Sequence, residues 1–194
     1  VKVKIIPIYK SDEEKTSVLQ AAKELQTKLV GKSVHKIDID TRDEKSPGFK
    51  FNEWEVKGIP VRIELGPKDL EKSQATVVRR DTSEKFAVPL AECTEQWLHK
   101  LLEEIHATML KQAEDFMESH TFPVTTYDEL KKIIDSDEGG FVLAGWDGEF
   151  KTAEQVKNET KATIRLVTED DPKGVKDPVS GKPATCMVLY AKAY

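Results

Sequence analysis

The sequence predicts an α/β protein, in which a mixed five-stranded sheet with flanking helices is followed by a small α+β unit. Three observations carry this. The chain opens with strand, helix and strand patterns in succession, and a helical crossover implies parallel strands joined right-handedly. A hairpin pattern between Val61 and Arg80 turns the sheet antiparallel. After Thr121 a new series of short elements begins, with its own capping signal and turns.

Val1 to Tyr9 reads as an apolar strand that starts without a leader, which is the expectation for a segment of a longer chain. Ser11 to Glu14 is a capping box opening a helix whose Val18, Ala22, Leu25 and Leu29 form one stripe. Gly31 ends it, and Val34 to Ile39 alternates as the next strand. Pro47 to Lys57 reads as a helix stopped by Gly58 and Pro60, because glycine caps it and a residue before proline leaves α geometry. Val61, Ile63 and Leu65 then alternate with Arg62 and Glu64, as in a half-buried strand. Gly66 to Asp69 reads as a tight turn, Ala75 to Arg80 as the returning strand, and Lys85 to Leu90 as a short edge strand.

Ala91 to about His120 reads as a long helix with Trp97, Leu98, Leu101, Leu102, Ile105 and Met109 on its buried side. Thr121 to Thr125 reads as a joint, dividing the chain into residues 1–120 and 121–194. Beyond it, Thr126 and Glu129 form a second capping box for a helix to about Ile134. Phe141 to Trp146 is an expected strand, Thr152 to Glu159 a polar helix and Ala162 to Val167 a strand. A loop from Glu169 to Pro183 precedes a last strand, Met187 to Ala193.

The chain has 194 residues, of which 38% are hydrophobic, enough for a packed core in one or two domains. A net charge of −5 with 34% charged residues argues against wholesale polyanion binding, so any RNA contact must be local. No apolar run approaches membrane-spanning length and no signal peptide is visible, which points to the cytoplasm. Cys93 and Cys186 alone make no disulfide framework. The ten glycines form neither a P-loop nor a dinucleotide fingerprint, and no nucleophile constellation stands out. His99, Glu103 and His106 share a helical face, but without a further ligand in reach a solvated face is the better reading than a metal site.

The richest stretch runs from Gly48 to Thr82. Phe51 and Glu55 are one helical turn apart and share a face. A carboxylate can accept from guanine's pairing edge, Lys or Arg can donate to its O6 and N7, and an aromatic ring offers a stacking face. On chemistry alone the same residues also fit a buried aromatic beside a salt-bridged surface.

The run GFKFNEWEVKGIPVRIELGPKDLE, followed by VVRRDT, resembles the anticodon-binding domain of prolyl-tRNA synthetases of the archaeal and eukaryote-like type. ATIR near residue 162, SGKPA at 180 and the terminal YAKAY resemble the C-terminal domain of the same enzymes. The resemblance implies the class IIa synthetase anticodon-binding fold over residues 1–120 and a zinc-domain-like α+β domain over 121–194. It implies stacking by Phe51, guanine reading by Glu55, base or ribose-phosphate contacts by Arg62 and Lys68, and orienting roles for Asp69 and Arg80. For Arg62 and Arg80 a salt bridge to Glu64 or Asp81 stays an equal alternative. Tyr194 would carry its terminal carboxylate towards the active site.

The implied partners are the anticodon stem-loop of proline tRNA, an upstream class II catalytic domain and a second copy in a homodimer. ATP and Mg²⁺ would serve the full-length enzyme, and catalytic residues would lie upstream of Val1. A non-catalytic adaptor that reuses the same module is the other reading. Many relatives bind zinc through four cysteines in the C-terminal domain, at positions falling near Ala144, just before Leu166, and near Asp177 and Ser180. None is Cys here. The expectation is therefore no metal and a small domain held by Phe141, Leu143, Trp146, Ile164 and Leu189.

Overall fold

The computed structural model describes residues 1–31 and 35–192, so Lys32 to Val34, Ala193 and Tyr194 lie outside the described residues. The chain forms two compact units, Val1–Lys111 and Gln112–Tyr194. In the first, β1 (Val3–Pro7), α1 (Asp12–Val30), β2 (Ile37–Ile39), α2 (Pro47–Val56) and β3 (Val61–Leu65) lead into α3 (Pro67–Glu71), β4 (Gln74–Arg79), β5 (Lys85–Pro89) and α4 (Glu95–Ser119), whose residues from Gln112 on fall in the second. The five strands lie in the order β2-β1-β3-β4-β5. β1 runs parallel to β2 and β3, and β3, β4 and β5 are antiparallel. The mixed sheet is the one expected from the sequence.

The sheet's two faces differ. Val3, Ile5, Ile37, Val61, Ile63, Leu65, Ala75, Val77 and Val88 line one face, under Ala22, Leu25 and Leu29 of α1 and Leu98, Leu101 and Ile105 of α4. Lys4, Arg62 and Glu64 sit in register on the other, which α2 meets through Trp54 and Phe51. That face was expected to be the open side of a half-buried strand. Instead Lys4 is 6% and Glu64 5% exposed, because the side chains of α2 and Lys85 lie against them.

Two local expectations are corrected. Gly66 to Asp69 is the start of α3, not a bare turn, because the Asp69 carboxylate accepts from the Gly66 N–H at 3.0 Å and so caps a helical turn. Met109 is 48% exposed, since the core contact of α4 ends one turn earlier at Ile105.

The second unit contains β6 (Thr121–Pro123), α5 (Tyr127–Ile134), β7 (Phe141–Trp146), α6 (Phe150–Thr160), β8 (Ala162–Val167) and β9 (Cys186–Lys192), in the sheet order β6-β7-β9-β8. The Thr126–Glu129 capping box is present. β6 falls where a joint was expected: three residues are too few to show a period, and its pairing to β7 is parallel and non-local. The core also takes the opposite face of β7 from the one expected. Val142 and Ala144 are fully buried, against Val188 and Tyr190 of β9, whereas Phe141 is 37% exposed. Trp146 and Ile164 pack only at the core's margin. Phe-Val-Leu-Ala-Gly-Trp has no polar member, so alternation could not choose its buried face. The buried Asp177 carboxylate gathers the long loop by accepting from the backbone N–H groups of Asp147, Val179 and Ser180 at 3.0, 2.7 and 3.0 Å.

Candidate nucleobase site

The candidate site is assembled from α2, the start of β3 and the end of β4. Ser46 caps α2 by accepting from the Phe49 N–H, and Pro47 occupies the first turn, where a missing N–H costs nothing. The helix ends at Gly58, whose φ of 77° favours glycine. Phe51, Trp54 and Glu55 therefore project from one face, towards Arg62 on β3 and Arg80 just past β4. Together they line a cleft of about 120 Å³.

Within the cleft, the Arg62 guanidinium lies 4.4 Å from the centroid of the Phe51 ring and covers one of its faces. Its Nε donates to Glu64 Oε1 at 3.1 Å, and its Nη1 is 3.9 Å from Glu55 Oε2. Glu64 also pairs with Lys85 at 2.7 Å. The Glu55 side chain is 56% exposed and among the described residues has this single distant ion pair, leaving acceptor capacity towards the cleft. Arg80 is exposed. Asp81, one candidate partner for Arg80, is taken by Arg79 at 3.1 and 2.7 Å. The Phe51 ring, an open carboxylate and the Arg62 and Arg80 guanidinium groups thus share one small concavity, whose lining also includes Trp54 and Arg79. This set can hold a flat ligand that donates from one edge and accepts on another.

Four of the expected site residues, Phe51, Glu55, Arg62 and Arg80, meet here, and two do not. Lys68 is exposed on α3, away from the cleft lining. Both oxygens of Asp69 are engaged, with the Gly66 N–H and with Thr76 Oγ1 at 2.9 Å. Tyr194 lies outside the described residues. His99 pairs with Glu103 at 3.3 Å, and among the described residues no group of three or more His, Cys, Asp or Glu side chains is placed to hold a metal ion.

Sequence reasoning missed the layer that supports α2. The Asp40 side chain is 1% exposed and accepts from Arg42 at 2.9 and 2.7 Å and from the Trp54 indole N–H at 2.7 Å. Lys50, also buried, donates to the Asp40 carbonyl at 3.2 Å and lies 3.8 Å from its carboxylate. Burial pushes the Asp40 pKa up, but the hydrogen bonds from Arg42 and Trp54 more than offset it and hold the carboxyl well below its usual range. Hydrogen bonds from Arg42 and then Lys57 bring Glu53 down to about 2. Lys4 Nζ stands 3.8 Å from the Trp54 ring centroid and Lys57 Nζ 4.5 Å from it. Trp54 is thereby held by its edge and its faces. One signal was available: the alternation of Ala75 and Val77 along β4 puts Arg79 on the α4 side and Arg80 on the cleft side.

Residues 2–100 match the family described as "Anticodon binding domain", and residues 127–194 match "Prolyl-tRNA synthetase, C-terminal". The chain is 41% identical over 199 residues to a proline–tRNA ligase of Bacteroides fragilis, an alignment covering 100% of this chain and 39% of the relative. It is 42% identical over 195 residues to that of Parabacteroides distasonis, again covering 100% and 39%. A third, from Rubrobacter xylanophilus, is 44% identical over 190 residues, covering 98% and 39%. The chain therefore spans about two fifths of the length of the curated relatives it matches.

Proposed function

The chain belongs to the prolyl-tRNA synthetase family, in its anticodon-binding and C-terminal portion, and on that premise we propose that it reads the anticodon of proline tRNA for a proline–tRNA ligase of the archaeal and eukaryote-like type. The anticodon-reading domain would comprise residues 1–120 and the C-terminal α+β domain residues 121–194. The convergence of Phe51, Glu55, Arg62 and Arg80 in one cleft carries this reading. Proline anticodons contain two consecutive guanines. Glu55 accepts from the pairing edge of one of them, Arg80 donates to its O6 and N7, and the free face of Phe51 stacks on the base. Arg62 is spent on Phe51 and Glu64, and so orients the ring more than it reads the base. Asp69 holds α3 in place, and Lys68 meets the RNA backbone outside the cleft.

The full-length enzyme would activate proline with ATP and Mg²⁺ in an upstream class II catalytic domain, work in the cytoplasm and act as a homodimer. Tyr194 would reach that active site with its carboxylate. No residue of this chain is assigned to ATP or Mg²⁺. The adaptor reading is set aside, because the similarity runs through both domains in order and the relatives named above are ligases. Glu55→Ala should reduce discrimination between the proline anticodon stem-loop and an anticodon-swapped one by roughly 1–3 kcal/mol, the size of a bidentate base contact. Equal discrimination by wild type and variant, in paired binding titrations, would remove Glu55 from base reading.

A further inference from the structure

Resting on that reading, we propose that a second groove beside the cleft binds the adjacent nucleotide of the same RNA strand, with its phosphate at Lys2 and Arg80 and its base against α4. The groove encloses about 550 Å³ between His99, His106 and Met109 of α4 and a rim formed by Lys2, His35 and Arg80. Arg80 lines both concavities, so the groove begins where the cleft ends. A strand whose base enters the cleft is carried past this guanidinium into the groove.

The charges favour a phosphate. Two carboxylates border the groove: Asp81 is neutralised by Arg79, from which it accepts at 3.1 and 2.7 Å, and Glu103 lies 3.3 Å from the His99 imidazole, leaving Lys2 and Arg80 against one carboxylate. Among the described residues, neither Lys2 nor Arg80 forms an ion pair with a carboxylate. The groove is therefore locally cationic on a chain whose net charge is −5, which is how an acidic protein can hold a polyanion at one place. The walls favour a base. Met109 stands 48% exposed beyond the last core residue of α4, an apolar platform on the groove wall. The imidazoles of His35 and His99 lie 6.3 Å apart at 31° to each other and add flat, polar-edged surfaces. Apolar and planar walls under a cationic rim are the complement of an unstacked nucleotide.

The test uses the whole chain and the proline anticodon stem-loop, with 2-aminopurine replacing in turn each nucleotide that flanks the two guanines. Met109→Glu places a negative charge in the groove at an exposed position, and Lys2→Ala removes a phosphate partner; neither residue lines the cleft. Met109→Glu should weaken stem-loop binding about tenfold, the scale of one lost base stack, without altering the ratio of cognate to anticodon-swapped affinity. Lys2→Ala should lower the slope of log affinity against log salt by about 0.7, as for one phosphate contact on a single strand. A flanking 2-aminopurine should change its emission on wild type and not on Met109→Glu.

Wild-type affinity, salt slope and emission in both variants would overturn the groove. If Glu55→Ala still lost discrimination under the same conditions, the cleft reading would stand without it. Loss of binding in the groove variants with Glu55→Ala harmless would keep the groove and remove the cleft from base reading. Displacement of the stem-loop by a poly-glutamate peptide but not by single-stranded RNA would assign the groove to an acidic peptide and overturn the proposal.

Discussion

At the scale of single residues, the best-determined group is Asp40. It sits in a charged run from Lys36 to Lys45 that gives no hint of burial, yet it ties Arg42, Lys50 and Trp54 together beneath α2. Its removal leaves Lys50, 4% exposed, without a carboxylate, so Asp40→Ala should cost about 3–5 kcal/mol in denaturant unfolding, as for a broken buried ion pair. The pH dependence follows from the sign of the shift. Asp40 and Glu53 have folded values below their unfolded ones, so their stabilisation is complete above about pH 5 and is lost as pH falls through the folded values. The melting temperature should drop progressively from about pH 5 to pH 2. Asp40→Asn should flatten that acid limb, and an undiminished limb in this variant would move the effect to other carboxylates.

At the scale of elements, strand β7 and the loop that follows β8 make the sharpest case. A Cβ at Gly145 would meet Ala184 Cβ at 2.8 Å, Val175 Cγ1 at 2.8 Å and the Lys176 carbonyl at 2.9 Å. The loop backbone is held by Asp177, so it cannot retreat. Gly145→Ala should therefore destabilise by about 1–3 kcal/mol, as overpacking does, with the loss visible as faster amide exchange in β7 and β9. Normal exchange in β9 would mean that the loop yields. Helix α2 shows the same dependence on a neighbour from the other side: its cap and its glycine stop are local, but it is tied down through the remote contacts of Lys50 and Trp54 with Asp40 and of Phe51 with Arg62.

At the scale of the whole molecule, the proposed function is recognition, with the chemistry carried out elsewhere in the ligase. Its ten glycines form no P-loop motif, and the buried or half-buried cations Lys4, Arg42, Lys50, Arg62 and Arg79 are each paired with a carboxylate. Proline-dependent ATP–pyrophosphate exchange should be undetectable with the purified chain. Exchange above the background of a mock purification would show that it carries a catalytic site of its own. RNA binding should have a shallow salt dependence, corresponding to a few phosphate contacts, because the net charge of −5 opposes any broad electrostatic footprint.

What the sequence determined by itself is whatever depends on neighbours a few positions away. The stripe of α1, the alternation of β3, the Thr126–Glu129 box and the Gly58 stop were legible because caps and periodicities act over one or two turns. Pairing Phe51 with Glu55 was legible for the same reason. Only the tertiary structure decided that Lys68 stands apart from the cleft and that β7 buries Val142 and Ala144. Each of these turns on which face a strand presents to elements that are remote in sequence. The Asp40 layer was illegible for a related reason: a charge is stable at 1% exposure only once the chain brings Arg42, Lys50 and Trp54 around it.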